Sequence, residues 1–358
     1  MEWMKIYERL VNTDTGPDIS IDEKLNRTFF LAEILEELGF KVEREDAAYV
    51  AFHGHPPYIT LIGHLDTVFP EGESKKRPFK VEGNIAKGPG VCDMKGGIVV
   101  LLESIKRFLE GDDANLCIVL NVDEEIGSPF SQSTFEKIAE KTSYCLSFEP
   151  GRENGEFVSS RKGILALSVF VHGKKGHASR LDEGVNAIIE LSYKIMEIFS
   201  LNGRFENLTL NPTIVKGGLE SNVTPDLAEV YFDVRFYEDK EYDFLNKMLD
   251  NLSTIHPDST FSYRMKIRRL PMKESRILVE LVRSVAKEMK MEPKFVRATG
   301  GGDVAFFSQK DVPSMDGLGI PGGRMHSEEE YARLDQFEKR VELVVQLLKR
   351  LGGVRNVR

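Results

Sequence analysis

A chain of 358 residues exceeds the roughly 100–200 residues that one core commonly holds, so two domains are expected, each able to bury an interior of its own. Hydrophobic residues at 41% and charged residues at 29% place it among globular chains and exclude a disordered one. Acidic residues outnumber basic ones by 57 to 48, and a net charge of -9 repels a phosphate backbone, which excludes nucleic acid as a partner.

In chain order, Leu25, Phe29, Ala32 and Leu35 recur at helical spacing and predict a helix over 22–38, with Ser20 as its N-cap and Gly39 as its stop. Apolar β-rich runs at 58–63, 116–122 and 144–148, with a helical pattern over 94–109, imply a mostly parallel sheet covered by helices on both faces. Strand 164–172, helix 182–200, strands 208–215 and 227–237, helix 241–252 and strand 260–267 then follow the β-α-β-β-α-β order of a ferredoxin-like unit. After Pro271 the α/β rhythm resumes with helix 274–289, strand 294–298, glycines at 300–302 and a last helix over 328–351. The expected fold is therefore α/β, a discontinuous domain of 1–162 and 271–358 carrying an inserted ferredoxin-like α+β domain at 163–270.

The three cysteines, Cys92, Cys117 and Cys145, are odd in number and sit in apolar segments without a paired metal spacing. They read as buried reduced thiols of a cytoplasmic protein. The longest apolar run, 98–102, falls far short of the roughly 20 residues of a membrane span, and the first residues do not open a signal peptide. No membrane partner is expected.

Metal-competent residues gather at the ends of predicted strands, where open α/β sheets bind ligands. His64 and Asp66 follow the strand at 58–63, and in an extended segment residues i and i+2 point the same way, so Asp66 is expected to hold the imidazole nitrogen that a metal leaves free. Asp93 lies in Gly88-Pro-Gly-Val-Cys-Asp-Met-Lys-Gly-Gly97, Asp123-Glu124-Glu125 caps the second strand, Glu149 caps the third, and His326 stands in Pro321-Gly-Gly-Arg-Met-His326. Each piece alone is weak: a His-x-Asp after a strand is most often a surface turn, and paired glutamates are usually solvated. Gly88-x-Gly90 opens like a dinucleotide fingerprint, but its third glycine falls on Asp93, whose charge repels pyrophosphate. No Gly-x-Ser-x-Gly elbow supports a serine hydrolase. Together, two histidines and three carboxylates suit two divalent ions of zinc type, with one carboxylate bridging.

The segments Gly63-His-Leu-Asp-Thr67, Gly88–Gly97, Asp123-Glu-Glu-Ile-Gly-Ser128, Glu149-Pro150, Arg161-Lys-Gly163, His172-Gly-Lys-Lys-Gly-His-Ala178 and Thr299-Gly-Gly-Gly-Asp303 resemble the co-catalytic dizinc peptidases that include glutamate carboxypeptidase, aminoacylase, acetylornithine deacetylase and succinyl-diaminopimelate desuccinylase. The likeness runs from about His64 to His326 and looks closest to the bacterial glutamate carboxypeptidase branch. It implies two zinc ions, with cobalt or manganese as substitutes, bridged by Asp93; His64 and Glu149 would bind one, Glu125 and His326 the other. Glu124 becomes the general base and Asp66 a residue behind the ligands. The resemblance also implies a homodimer through the inserted domain, in which His177 reaches the partner's site to steady an oxyanion. Asn222 and Arg235 match positions that bind substrate oxygens, although Arg235 within a strand also suits a structural ion pair. Gly301 offers a backbone amide at a helix start for a carboxylate.

Two departures stand out. Ser179-Arg180 replaces the glycine that often follows His-Ala, and Arg268 and Arg269 compete for the basic role near the end of the insert. The expected activity is hydrolysis of an amide that frees a C-terminal amino acid, acidic by preference, from a small peptide or N-acyl conjugate. N-acyl amino acid deacylation or desuccinylation is the alternative, and a catalytically inactive metal-binding dimer the distant one.

Overall fold

The computed structural model describes residues 2–353. They divide into two compact units, one running to Ser160 and resuming over Met272–Ala298 and from Gly302, the other Arg161–Pro271 with Thr299–Gly301.

The first unit is built on a six-stranded sheet. Its strands are β1 (Lys41–Arg44), β2 (Ala48–His53), β3 (Tyr58–His64), β4 (Leu116–Asn121), β5 (Thr142–Ser147) and the short Ser314–Met315, in the order β1-β2-β4-β3-β5-Ser314–Met315. The β4–β3, β3–β5 and β5–Ser314–Met315 pairings are parallel, while β1–β2 and β2–β4 are antiparallel. Every residue of β3 and β4 is buried, because side chains alternate between two covered faces. Ile59 and Leu61 join a core with helices Glu2–Val11, Gly97–Leu109, Arg276–Glu288 and Phe337–Gly353; Tyr58 and Ile62 join another with Gln132–Ala139 and Val304–Ser308. This is the two-faced α/β sheet that the apolar runs imply.

Several boundaries differ from expectation for local reasons. The helix predicted over 22–38 is two, Ile21–Thr28 and Phe30–Glu37, since the Thr28 hydroxyl bonds the Lys24 and Leu25 carbonyls and the Phe29 amide turns to Asn26. Ser20 does cap the first, accepting the Glu23 amide. The helix predicted from 94 begins at Gly97, after an irregular turn in which Asp93 and Met94 leave helical φ/ψ. The final helix begins at Phe337, not 328, because Tyr331–Arg333 pairs as a strand with Ile85–Lys87.

The second unit holds an antiparallel sheet of β6 (Gly163–His172), β7 (Thr209–Gly217), β8 (Leu227–Phe236) and β9 (Thr260–Arg269) in the order β7-β8-β6-β9. With helices Ala187–Phe199 and Asp239–Asp250 packed on one face, this is the ferredoxin-like arrangement. The first of those helices starts five residues later than predicted, where Asn186 accepts the Ile188 and Ile189 amides. Among the described residues no helix is long and apolar enough to cross a membrane.

Candidate metal centre

Three adjacent parallel strands, β4, β3 and β5, end on one edge of the first unit's sheet. Polar residues appear there because the chain has left the apolar interior: His64 closes β3, Asp123 to Glu125 follow β4, and Glu149 follows β5. Close packing holds the edge in place. A β-carbon on Gly97 would lie 1.9 Å from the Phe148 carbonyl oxygen, so the helix starting there touches the backbone that presents Glu149.

His64 is 2% exposed. Its Nε2 stands 3.2 Å from Asp93 Oδ1 and 3.7 Å from Glu149 Oε1. His326 Nε2 stands 3.3 Å from Asp93 Oδ2 and 3.3 Å from Glu125 Oε1. His64, Asp93 and Glu149 thus form one group, and Asp93, Glu125 and His326 another, with potential ligand atoms in each lying within 4.8 Å of one another. Asp93 belongs to both. Glu124 lines a small cavity of about 10 Å³ with His64 and Glu149.

Outer carboxylates fix the turns that carry these side chains. Asp66 Oδ1 and Oδ2 accept the amides of Glu124 and Glu125 at 3.1 and 3.0 Å. His64 Nδ1 faces the Asp66 carbonyl oxygen at 3.0 Å, with the carboxylate farther off at 3.4 Å. The strand ends at His64, so the i, i+2 alternation does not extend to residue 66. Beneath Asp93, buried Glu330 accepts the amides of Gly90, Cys92 and Asp93. Nothing in the sequence marked Glu330, because Glu328-Glu329-Glu330 reads as a solvated acidic run. His326 itself adopts φ 62°, a left-handed conformation held by Ser327 bonds to the Arg324 carbonyl.

The electrostatics favour positive charge. Burial opposes protonation of His64, yet hydrogen bonds to Asp66 and Asp93 outweigh it and hold the imidazole well above its ordinary value. Hydrogen bonds to Asp93 and Glu125 lift His326 to about 10. Burial works against the charge on Asp93, but His326 and His64 keep its carboxyl far below the usual range. Burial pushes the Cys92 thiol well up, leaving it an inert packing group; all three cysteines are buried and unpaired.

The other predicted residues belong to the second unit. His177 is exposed, and its Nδ1 accepts the Ser179 amide at 3.3 Å and lies 2.8 Å from the Ser179 hydroxyl. The Asn222 carbonyl accepts the Ala178 amide. Arg235 makes a bidentate pair with Asp233 at 2.6 and 2.9 Å and reaches the Thr299 carbonyl. The Gly301 carbonyl accepts from Arg161 Nη1 at 2.9 Å, and a β-carbon on Gly301 would meet the Arg269 stem. No ligand group in the two metal-competent clusters comes from this unit.

The model of peptidase family M20/M25/M40 matches residues 60–350. The chain belongs to that family. Among curated relatives, carboxypeptidase G2 of Pseudomonas sp. (strain RS-16) is 30% identical over 98% of this chain and 89% of its own, and succinyl-diaminopimelate desuccinylase of Legionella pneumophila is 23% identical over 86% and 89%. Among solved structures, aminopeptidase PepT of Bacillus cereus matches with a TM-score of 0.82 at 18% identity, covering 97% of both chains. A dinuclear metal binding peptidase of Bacillus subtilis matches with a TM-score of 0.70 at 14% identity, covering 98% of both. This M20 chain is accordingly a metal-dependent hydrolase of the peptidase and amidohydrolase kind.

Proposed function

We propose that this M20 hydrolase cleaves an amide to release a C-terminal amino acid, acidic by preference, using two zinc ions. The carrying observation is the pair of three-residue clusters joined through Asp93. Two imidazoles and three carboxylates at these spacings are a donor set that suits borderline divalent ions. His64 and Glu149 would hold one, Glu125 and His326 the other, and Asp93 both. When bound, such a pair polarises the scissile carbonyl and acidifies water.

Glu124 is the general base: its carboxylate takes the proton of the attacking water and delivers it to the departing nitrogen. Asp66 keeps it in register by holding the Glu124 and Glu125 amides. With His177 Nδ1 accepting the Ser179 amide, Nε2 is the ring nitrogen left to donate to a developing oxyanion; we propose that it does so in the partner's site of a homodimer. Preference for a carboxylate is supported by Arg161 and Arg269 gathering on Thr299–Gly301, beside Arg235, which would have to exchange Asp233 for the substrate; Asn222 and the Gly301 amide are proposed as further substrate contacts.

A second reading, removal of an N-acyl group from an amino acid, is supported by the desuccinylase relative. A panel of C-terminal dipeptides, N-acyl glutamates and N-succinyl amines, assayed with zinc and with cobalt, separates the two by which side of the amide sets kcat/KM. Glu124→Gln is expected to lower kcat by about 10²–10⁴-fold with metal content unchanged. Retained activity would reject the base.

A further inference from the structure

Asp303 ends the Thr299–Asp303 motif and has no part in the function as proposed. It is 6% exposed, immediately before the short helix Val304–Ser308. One carboxylate oxygen accepts Asn121 Nδ2 at 2.8 Å, and the other accepts the Ser128 hydroxyl. Asn121 is the last residue of β4; Ser128 closes the following turn by donating its amide to the Asp123 carbonyl at 2.8 Å. Asp303, from a segment far along the chain, therefore grips both the entry and the exit of the turn that presents Glu124 and Glu125.

A second buried carboxylate completes the arrangement. Asp123 accepts the Phe130 and Ser131 amides, the Ser131 hydroxyl and, at 3.2 Å, the same Asn121 Nδ2. Two carboxylates away from water are a poor way to gain stability, because apolar packing of equal volume costs less desolvation. What a buried hydrogen-bond network supplies instead is one defined geometry, here with both carboxylates bonded and only Asn121 Oδ1 left without a partner. Asp303 also lines the small cavity shared by His64, Glu124 and Glu149.

We propose that Asp303 is a positioning residue for Glu124, acting through Asn121 and Ser128 and touching neither substrate nor metal. The inference rests on Glu124 being the base. Displacing a reacting group by about 1 Å costs on the order of 10²-fold in rate, so Asp303→Ala should lower kcat by about 10–100-fold at saturating zinc with KM within about 2-fold. Asp303→Asn should restore most of it, since the amide can accept from Asn121 and donate to the Ser128 oxygen. In a Glu124→Gln background, Asp303→Ala should cost almost nothing more.

In the metal-free protein, Asp303→Ala should speed hydrogen exchange at the Ser128, Phe130 and Ser131 amides and leave β3 unaffected. Ser128→Ala removes only a hydroxyl and carries the same test if the Asp303 variants fold poorly. The proposal falls if Asp303→Ala and Ser128→Ala keep full kcat, if their cost adds fully to that of Glu124→Gln, or if Asp303→Asn is as damaging as Asp303→Ala. An active Glu124→Gln variant overturns the base itself; an inactive one beside an unaffected Asp303→Ala removes only the positioning role.

Discussion

At the scale of single residues, three carboxylates and two imidazoles at 3.2–3.7 Å form a site in which protons and metal ions compete. Both histidines hold protons above their ordinary value without a cation, so zinc must displace them and its affinity should rise with pH. Calorimetric zinc titrations near pH 7 in buffers of different ionisation enthalpy should show proton release; none would mean the rings are already neutral. The metal-free fold carries the converse dependence. His326 is raised from 6.5 to about 10, so its ion pairs stabilise fully below about pH 6.5 and are lost as pH climbs towards 10. The Tm difference between chelated wild type and chelated His326→Asn should therefore shrink across that window. The five residues of the two clusters were legible as a group because they stand next to glycines and strand ends, and the structure brings them together. Glu330 was not: three amides make it an anchor, and amides leave no trace in sequence.

Among elements, the strands β3 and β4 were legible because burial on both faces writes a continuous apolar run, and β5 through its buried second half, 145–147. Strand β1 gave no such signal because it is a short edge strand with no buried residue, hairpin-paired to β2, while β2 and Phe157–Arg161 lean on the distant partners β4 and Phe295–Ala298. Helix limits differ from expectation where a side chain or neighbouring strand overrode local propensity: a break at Thr28 and later starts after Asn186 and Tyr331. The approach of helix Gly97–Leu109 to β5 was written only as a glycine. Gly97→Ala would set a β-carbon 1.9 Å from a backbone oxygen that has nowhere to go, so the helix must shift. We expect a loss of about 3 kcal/mol in urea unfolding of the chelated protein, with weaker zinc retention because Glu149 follows Phe148. An unchanged midpoint would mean the contact relaxes freely.

For the whole molecule, the second unit leaves apolar side chains in water that a monomer has reason to hide. Ile189 is 54% and Met196 66% exposed on the outer side of helix Ala187–Phe199, and Ile214 and Val215 are exposed on β7, whose other edge is unpaired among the described strands. Patches of this kind mark association surfaces, and an open strand edge adds hydrogen-bonding capacity to them. Sedimentation should thus report a dimer, and Ile189→Glu with Met196→Glu should convert it to a monomer whose Tm changes little. If His177 serves the partner's site, the monomer loses activity even though its own metal ligands are intact. Subunit mixing tests the assignment directly. Glu124→Gln and His177→Ala homodimers should each be nearly inactive, but a mixed dimer holds one site with an intact Glu124 facing an intact His177. Activity should then reappear on mixing and approach half the wild-type value per mixed dimer; if no activity returns although mixed dimers form, His177 acts within its own chain, and a fully active His177→Ala homodimer would remove its role altogether.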